Sequence, residues 1–292
     1  MNSKPTIHNA IVQHVVLVVV ALIVLGGIYL TFQTMTSVSM GAVLLILAHL
    51  AVVGGLIYLL RGLIGQAIRK MHAVPTETHS HENLETKGML IRWATLYDVL
   101  VRMILLGGGE DELRESIVKL AQIQPGESVL DVGCGTGTLA ITAKLKSDAT
   151  VKVYGNDASP EMIEKAREKA IAAGVQVEFQ HGLVEAIPFP DNSLDVVLSS
   201  FMVHHLPGEL KQKAFAEIHR VLKPGGRLLV VDFEPPQNRL TRAALRVFLG
   251  QGMMQIDNTK IPPMLTAAGF TALKTGNAGH AFATYMIGQK AL

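Results

Sequence analysis

Two long apolar stretches open the chain, about 11–32 and 38–60, joined by the uncharged polar segment Gln33-Thr-Met-Thr-Ser37. No Asp, Glu, Lys or Arg occurs from Pro5 to Leu60. Each stretch supplies the ~20 apolar residues with which a helix crosses a hydrocarbon core, so two transmembrane helices are expected within residues 1–70. A buried soluble hairpin of this length would keep a polar stripe. A secretory signal would show one short apolar region and a small-residue cleavage site. Lys4 flanks the first stretch, Arg61, Arg69 and Lys70 flank the second, and the connecting loop has no basic residue. The positive-inside rule then puts both termini in the cytoplasm, with the bacterial inner membrane as the expected location. His14 and His49 lie inside these stretches and are read as neutral.

The pattern changes after residue 70. Residues 71–83 are polar, contain Pro75 and read as a flexible linker. Their His72, His79, His81, Glu77 and Glu82 match no tight metal-ligand spacing, and no metal is expected. Residues 84–292 alternate helical and strand periods in the manner of an α/β domain. Leu84–Leu106, with Trp93, Tyr97 and Asp98, and Glu110–Gln122 read as helices. Strands are expected at Val129–Val132, Val151–Asn156, Val175–Phe179, Leu194–Ser199 and Arg227–Phe233. Helices are expected at Thr138–Lys144, from Pro160 to near Gly174, at Lys211–Leu222 and at Ile261–Phe270. Lys223-Pro-Gly-Gly226 reads as a turn, and Ala272–Thr275 with Phe282–Gln289 as a closing antiparallel pair. Arg239, Arg242 and Arg246 recur at helical spacing beside apolar residues, as on a helix lying against anionic lipid or an ordinary surface helix.

Charge narrows the partners. Residues 71–292 carry a net charge of −2, and a near-neutral domain without a basic stripe excludes nucleic acid as the expected substrate. The single cysteine, Cys134, permits no intrachain disulfide. It sits in Val129-Leu-Asp-Val-Gly-Cys-Gly-Thr-Gly137, where an apolar strand ends on an acid and passes through alternating glycines into a helix. In that context the glycines let backbone approach a nucleotide-type ligand. Asp157, at the end of the second strand, is placed to accept from ribose hydroxyls. A nicotinamide dinucleotide is disfavoured, because the third glycine of its fingerprint would fall at Thr138.

Val129–Gly137, Asp157, Phe189-Pro-Asp-Asn-Ser-Leu-Asp195 and Leu222-Lys-Pro-Gly-Gly-Arg-Leu-Leu-Val-Val-Asp232 together resemble the successive motifs of class I S-adenosylmethionine (SAM) methyltransferases. The nearest branch is the small-molecule one that includes the ubiquinone/menaquinone C-methyltransferases. The resemblance spans roughly residues 90–290. It implies a Rossmann-like seven-stranded sheet, mostly parallel with an antiparallel last strand, and SAM as cofactor. It also implies a cofactor site drawn from Asp131, Gly133, Cys134, Gly135, Gly137, Asp157, Ala158, Met162, Gly182, Leu183, Ser199 and Tyr97. The family usually places an acid where Leu183 stands, so the adenine edge falls to backbone around Gly182–Val184 or to Glu185.

Ser199-Ser-Phe-Met-Val-His-His-Leu206 leaves the fourth strand at its carboxyl end, where open α/β sheets bind ligands. His204 and His205 are therefore candidate general bases, with packing under the loop as the alternative. With the apolar N-terminal segments, the expected activity is membrane-tethered methyl transfer to a lipophilic small molecule, a quinone or phenol precursor or a lipid. Transfer to a phospholipid amine is the alternative within the same chemistry. A membrane-bound SAM sensor or scaffold without transfer is the alternative outside it.

Overall fold

The computed structural model describes residues 109–292, apart from 240, 244, 245, 247–252, 280 and 281. The two expected membrane spans, the linker, the helix at 84–106 and Tyr97 all lie outside the described residues. Among the described residues, no helix is long and apolar enough to cross a membrane.

The described chain runs α1 (Gly109–Ala121), β1 (Ser128–Val132), α2 (Thr138–Lys146), β2 (Lys152–Asp157), α3 (Pro160–Ala172), β3 (Glu178–His181), β4 (Leu194–Ser200), α4 (Gly208–Val221), β5 (Leu222–Phe233), α5 (Ile261–Ala267), β6 (Phe270–Asn277) and β7 (Ala283–Lys290). The strands form one sheet in the order β3-β2-β1-β4-β5-β7-β6. β1 to β5 pair in parallel, and β7 runs antiparallel to both β5 and β6. This is the expected Rossmann-like arrangement with an antiparallel last strand.

Parallel strands covered by helices on both faces must be apolar on both, which is why consecutive apolar residues, Val129-Leu130 in β1 and Val196-Val197-Leu198 in β4, form their centres. Alternation divides their side chains between two cores. Val129, Val196, Leu198 and Leu229 pack with Leu113 and Ile117 of α1, Leu139 of α2 and Ile163 of α3. Leu130, Val132, Val197 and Val230 pack on the other face with Phe215 and Ile218 of α4 and Leu265 of α5. Arg227 fastens α1 to the sheet, since its guanidinium donates to the Ala121 and Gln122 carbonyls and grips both Glu127 oxygens.

Several boundaries differ from the sequence reading. β3 begins at Glu178 rather than Val175. Gly174, at φ 65°, ends α3, and Val175 N–H turns back to the Ala170 carbonyl at 3.1 Å. Pairing with β2 starts only at Tyr154 opposite Glu178. Leu222 already pairs with Leu194, and the ladder shifts register before Val196, so the expected Lys223–Gly226 turn is absorbed into β5 as an irregularity. α5 stops at Ala267, because Gly269 adopts φ 97° and Phe270 opens β6 instead. α4 starts at Gly208, about one turn earlier than expected.

Candidate active site

β1 and β4 are neighbours, yet the chain leaves them towards opposite sides of the sheet, to β2 and to β5. Ligands in open α/β sheets bind at such a switch point, beyond the carboxyl ends of the strands. Two loops border it: Gly133–Gly137 after β1, and Phe201–Leu206 after β4.

The first loop is built on left-handed glycines, with φ of 65° at Gly133, 53° at Gly135 and 77° at Gly137. Asp157, half-buried at the end of β2, ties it down. One carboxylate oxygen accepts the Gly135 N–H at 2.8 Å, and the other accepts the Ser159 N–H at 2.9 Å. Burial pushes this carboxyl above its ordinary range, against the pull of those two amides. The expected ribose acid thus also holds the glycine turn. Gly137 has a different reason for being glycine. A Cβ there would meet the Phe179 ring at 2.7 Å and the Ala166 Cβ at 2.8 Å, so it makes room for α3 and β3. Ser159 caps α3 ahead of Pro160, its hydroxyl accepting from Met162 N–H. Lys169 reaches from α3 to the hydroxyls of Thr136 and Thr138. Burial drives the Cys134 thiol well up, so it stays neutral and serves as a small apolar loop residue.

Beside this loop is a cleft lined by Glu110, Arg114, Asp131, Gly133, Cys134, Gly135, Thr136, Thr138, Leu139 and Ser200. Asp131 is 1% exposed, and neither of its oxygens meets the geometry of a hydrogen bond. Burial pushes its carboxyl up to about 7, opposed by the charge of Arg114 and weakly by the Ala140 N–H. Arg114, 7% exposed, donates through Nη1 to Ser200 Oγ at 2.7 Å and lies 3.8 Å from a Glu110 oxygen, while its Nε has no acceptor. Three ionisable groups, Glu110, Arg114 and Asp131, are therefore buried beside the glycine loop, and Arg114 and Asp131 have bonding capacity left over. A polar group held that way is costly unless a ligand or water completes it.

The sequence reading placed Ser199 here. Alternation turns its hydroxyl to the other face of the sheet, the face of Val197, where it has no partner, and Ser200 lines the cleft instead. Arg114 and Glu110 were not foreseen, since only their i, i+4 spacing marks them in the sequence. Met162 and Leu183 are buried, at 2% and 8% exposure, yet belong to neither core cluster. Gly182 lies against Asn156, whose amide nitrogen a Cβ would meet at 2.5 Å. Ala158 gives its carbonyl to His181 Nε2 at 3.1 Å.

On the second loop, Val203–His205 forms a 3₁₀ turn. His204 Nδ1 lies 2.5 Å from Asp232 Oδ1, and the two rings of His204 and His205 sit 3.9 Å apart. Burial, and next the charge of His204, lowers the His205 imidazole to about 4 against the pull of Asp232.

Residues 129–226 match the family model described as a methyltransferase domain. An uncharacterized methyltransferase of Synechocystis sp. is 33% identical over 184 residues, 61% of this chain and 84% of that protein. A demethylmenaquinone methyltransferase of Thermus thermophilus is 36% identical over 155 residues, 53% of this chain and 69% of that protein. A SAM-dependent methyltransferase structure from Aquifex aeolicus superimposes with a TM-score of 0.54 at 23% identity, covering 65% of this chain and 97% of that one, a likeness of fold. The motifs, the sheet order and these relatives agree: the chain belongs to the class I SAM-dependent methyltransferases.

Proposed function

We propose that this methyltransferase alkylates a lipophilic small molecule, a quinone or phenol precursor, at the cytoplasmic face of the bacterial inner membrane. The observation that carries the donor half is the pair of incompletely satisfied buried charges, Asp131 and Arg114, beside the glycine loop. The methionine end of SAM carries an ammonium and a carboxylate, which these two groups complement. Asp157 and the glycine turn would take the ribose, with Ala158 alongside. Met162 and Leu183 offer apolar walls to the adenine, and backbone around Gly182 offers its edge. Tyr97 belongs to the same proposed site from the N-terminal side. When bound, SAM supplies a methyl group on a sulfonium sulfur that departs as a neutral thioether. The protein's work is then mainly to hold donor and acceptor in line at attack distance.

The acceptor half rests on relatives named as demethylmenaquinone methyltransferases at 33–36% identity and on the charge-free stretch before residue 61. Residues 1–70 would anchor the chain by two membrane helices, residues 71–83 would act as tether, and residues 84–292 would carry the chemistry. Anchoring raises the local concentration of an acceptor dissolved in the bilayer. The exposed helical arginines Arg239, Arg242 and Arg246 would rest on anionic headgroups.

Removal of residues 1–70 tests the tether. The shortened protein is expected to keep its SAM affinity and its rate on a short-chain acceptor dispersed in detergent. Its rate on a polyprenylated acceptor embedded in vesicles should fall at least tenfold. Equal rates on the embedded acceptor, with and without residues 1–70, would sink the proposed anchor.

A further inference from the structure

Asp232, next to last in β5 and wholly buried on the face of Leu228 and Val230, holds three N–H donors. Its Oδ2 accepts the His204 backbone N–H at 2.9 Å, and its Oδ1 accepts the Phe233 backbone N–H at 2.8 Å together with His204 Nδ1 at 2.5 Å. The turn and the side chain of one residue are thus bound to the same carboxyl group. A carboxylate accepting from Nδ1 fixes the imidazole tautomer, with the proton on Nδ1 and the lone pair on Nε2. His205, its ring 3.9 Å away and tilted by 49°, is held neutral and adds no competing charge. The pair lies at the carboxyl ends of β4 and β5, on the loop after β4 that borders the switch point.

We infer that His204 is the proton acceptor of the transfer reaction, that Asp232 is its positioning residue, and that the methyl acceptor is an O–H acid such as a phenol, hydroquinone or enol. The inference rests on the proposed small-molecule reading of the site. A fatty acid is ionised already and has no use for an oriented base. A hydroxyl and an ammonium both carry a proton of pKa ~10 that must leave before attack, and of these two the proposed reading of the site favours the hydroxyl. The step balances simply. The hydroxyl proton moves to Nε2, and the pair released on oxygen, or on the conjugated ring carbon, forms the bond to the methyl carbon. The methyl–sulfur bond breaks and its pair stays on sulfur. If carbon is the nucleophile, the ring hydrogen then moves to oxygen as aromaticity returns, so one proton in all leaves on the imidazole.

The test uses the full chain in detergent with H204N and D232N. Asn in place of His204 keeps a donor near the Nδ1 position and removes Nε2. Calorimetric SAM titration comes first: no binding by the wild type overturns the donor site, whereas unchanged affinity in both variants shows that the site persists. With S-adenosylhomocysteine present, 1-naphthol is titrated by its naphtholate absorption. The wild type should ionise it about one pH unit or more below its free value, and H204N should not. With a prenylated 1,4-naphthohydroquinone, kcat should fall ~10²-fold or more in H204N and ~10–100-fold in D232N. The KM for SAM should not change. The H204N rate should keep climbing about tenfold per pH unit where the wild-type rate has levelled off, because bulk ionisation of the hydroxyl then replaces the base. Among the described residues, Asp232 and His205 are the titratable groups set against His204. An unshifted naphthol ionisation, a parallel pH profile in H204N, or methylation of phosphatidylethanolamine in place of the hydroquinone would each overturn the inference. So would methylation of neither acceptor.

Discussion

Gly135→Val abolishes SAM binding, with affinity expected to fall at least a hundredfold while the domain stays folded. Residue 135 sits at φ 53°, where a β-branched side chain pays both the left-handed penalty and its restricted χ1. Its N–H is the donor that Asp157 holds at 2.8 Å, so a backbone that relaxes away from that φ also releases the Asp157 carboxylate. The residue lines the cleft itself, and two methyl groups there compete with any ligand lying on the loop. Gly137→Ala is the instructive contrast. Its Cβ would press on Phe179 and Ala166, so the cost is expected in stability, about 2 kcal/mol by urea unfolding. Calorimetry on both variants, with circular dichroism to confirm folding, separates the two roles. A folded Gly135→Val protein that binds SAM tightly would show that the loop does not approach the donor.

The second large effect is a pH dependence. Burial raises the Asp131 carboxyl to about 7, but only its ionised form can neutralise an ammonium group. Above pH 7 the carboxylate is already formed and binding releases no proton. Below it, each unit of pH demands that a proton be expelled first. SAM affinity should therefore be level near pH 8 and weaker by about tenfold at pH 6, where the carboxyl is mostly protonated. Asp131→Asn should bind more weakly at pH 8 by ~1.5–3 kcal/mol, the size of a hydrogen bond to a charged group. It should also lose the slope between pH 6 and pH 8. Calorimetric titrations at three pH values check this. A slope that persists in Asp131→Asn assigns the proton to another group, Asp157 being the next candidate.

Much of this site was legible in the sequence because its parts obey local rules. The acid, the alternating glycines and the helix after them are adjacent in the chain, and Ser159-Pro160 is a helix start wherever it occurs. The sheet followed from apolar runs too short for helices and spaced for crossovers. What escaped was set by tertiary contact. Ser199 and Ser200 are chemically identical, and only the register of β4 on β1, Ser199 beside Val132, turns one of them into the cleft. Arg114 becomes part of the site because α1 packs where it does, across 86 residues of chain from Ser200. His204 and His205 were equal candidates in the sequence, and only the fold brings Asp232, at the far end of β5, against the ring of His204. The β3 boundary moved because its partner strand, not its own alternation, decides where the ladder starts.

The most direct measurement gives the detergent-solubilised full chain SAM with a labelled methyl group and a bacterial lipid extract, then follows the label by mass spectrometry. The account predicts S-adenosylhomocysteine formation matched by one labelled product in the organic phase, a quinol or phenol gaining a single methyl group. Label confined to the aqueous phase or to phospholipid headgroups would contradict it, as would tight SAM binding with no transfer at all.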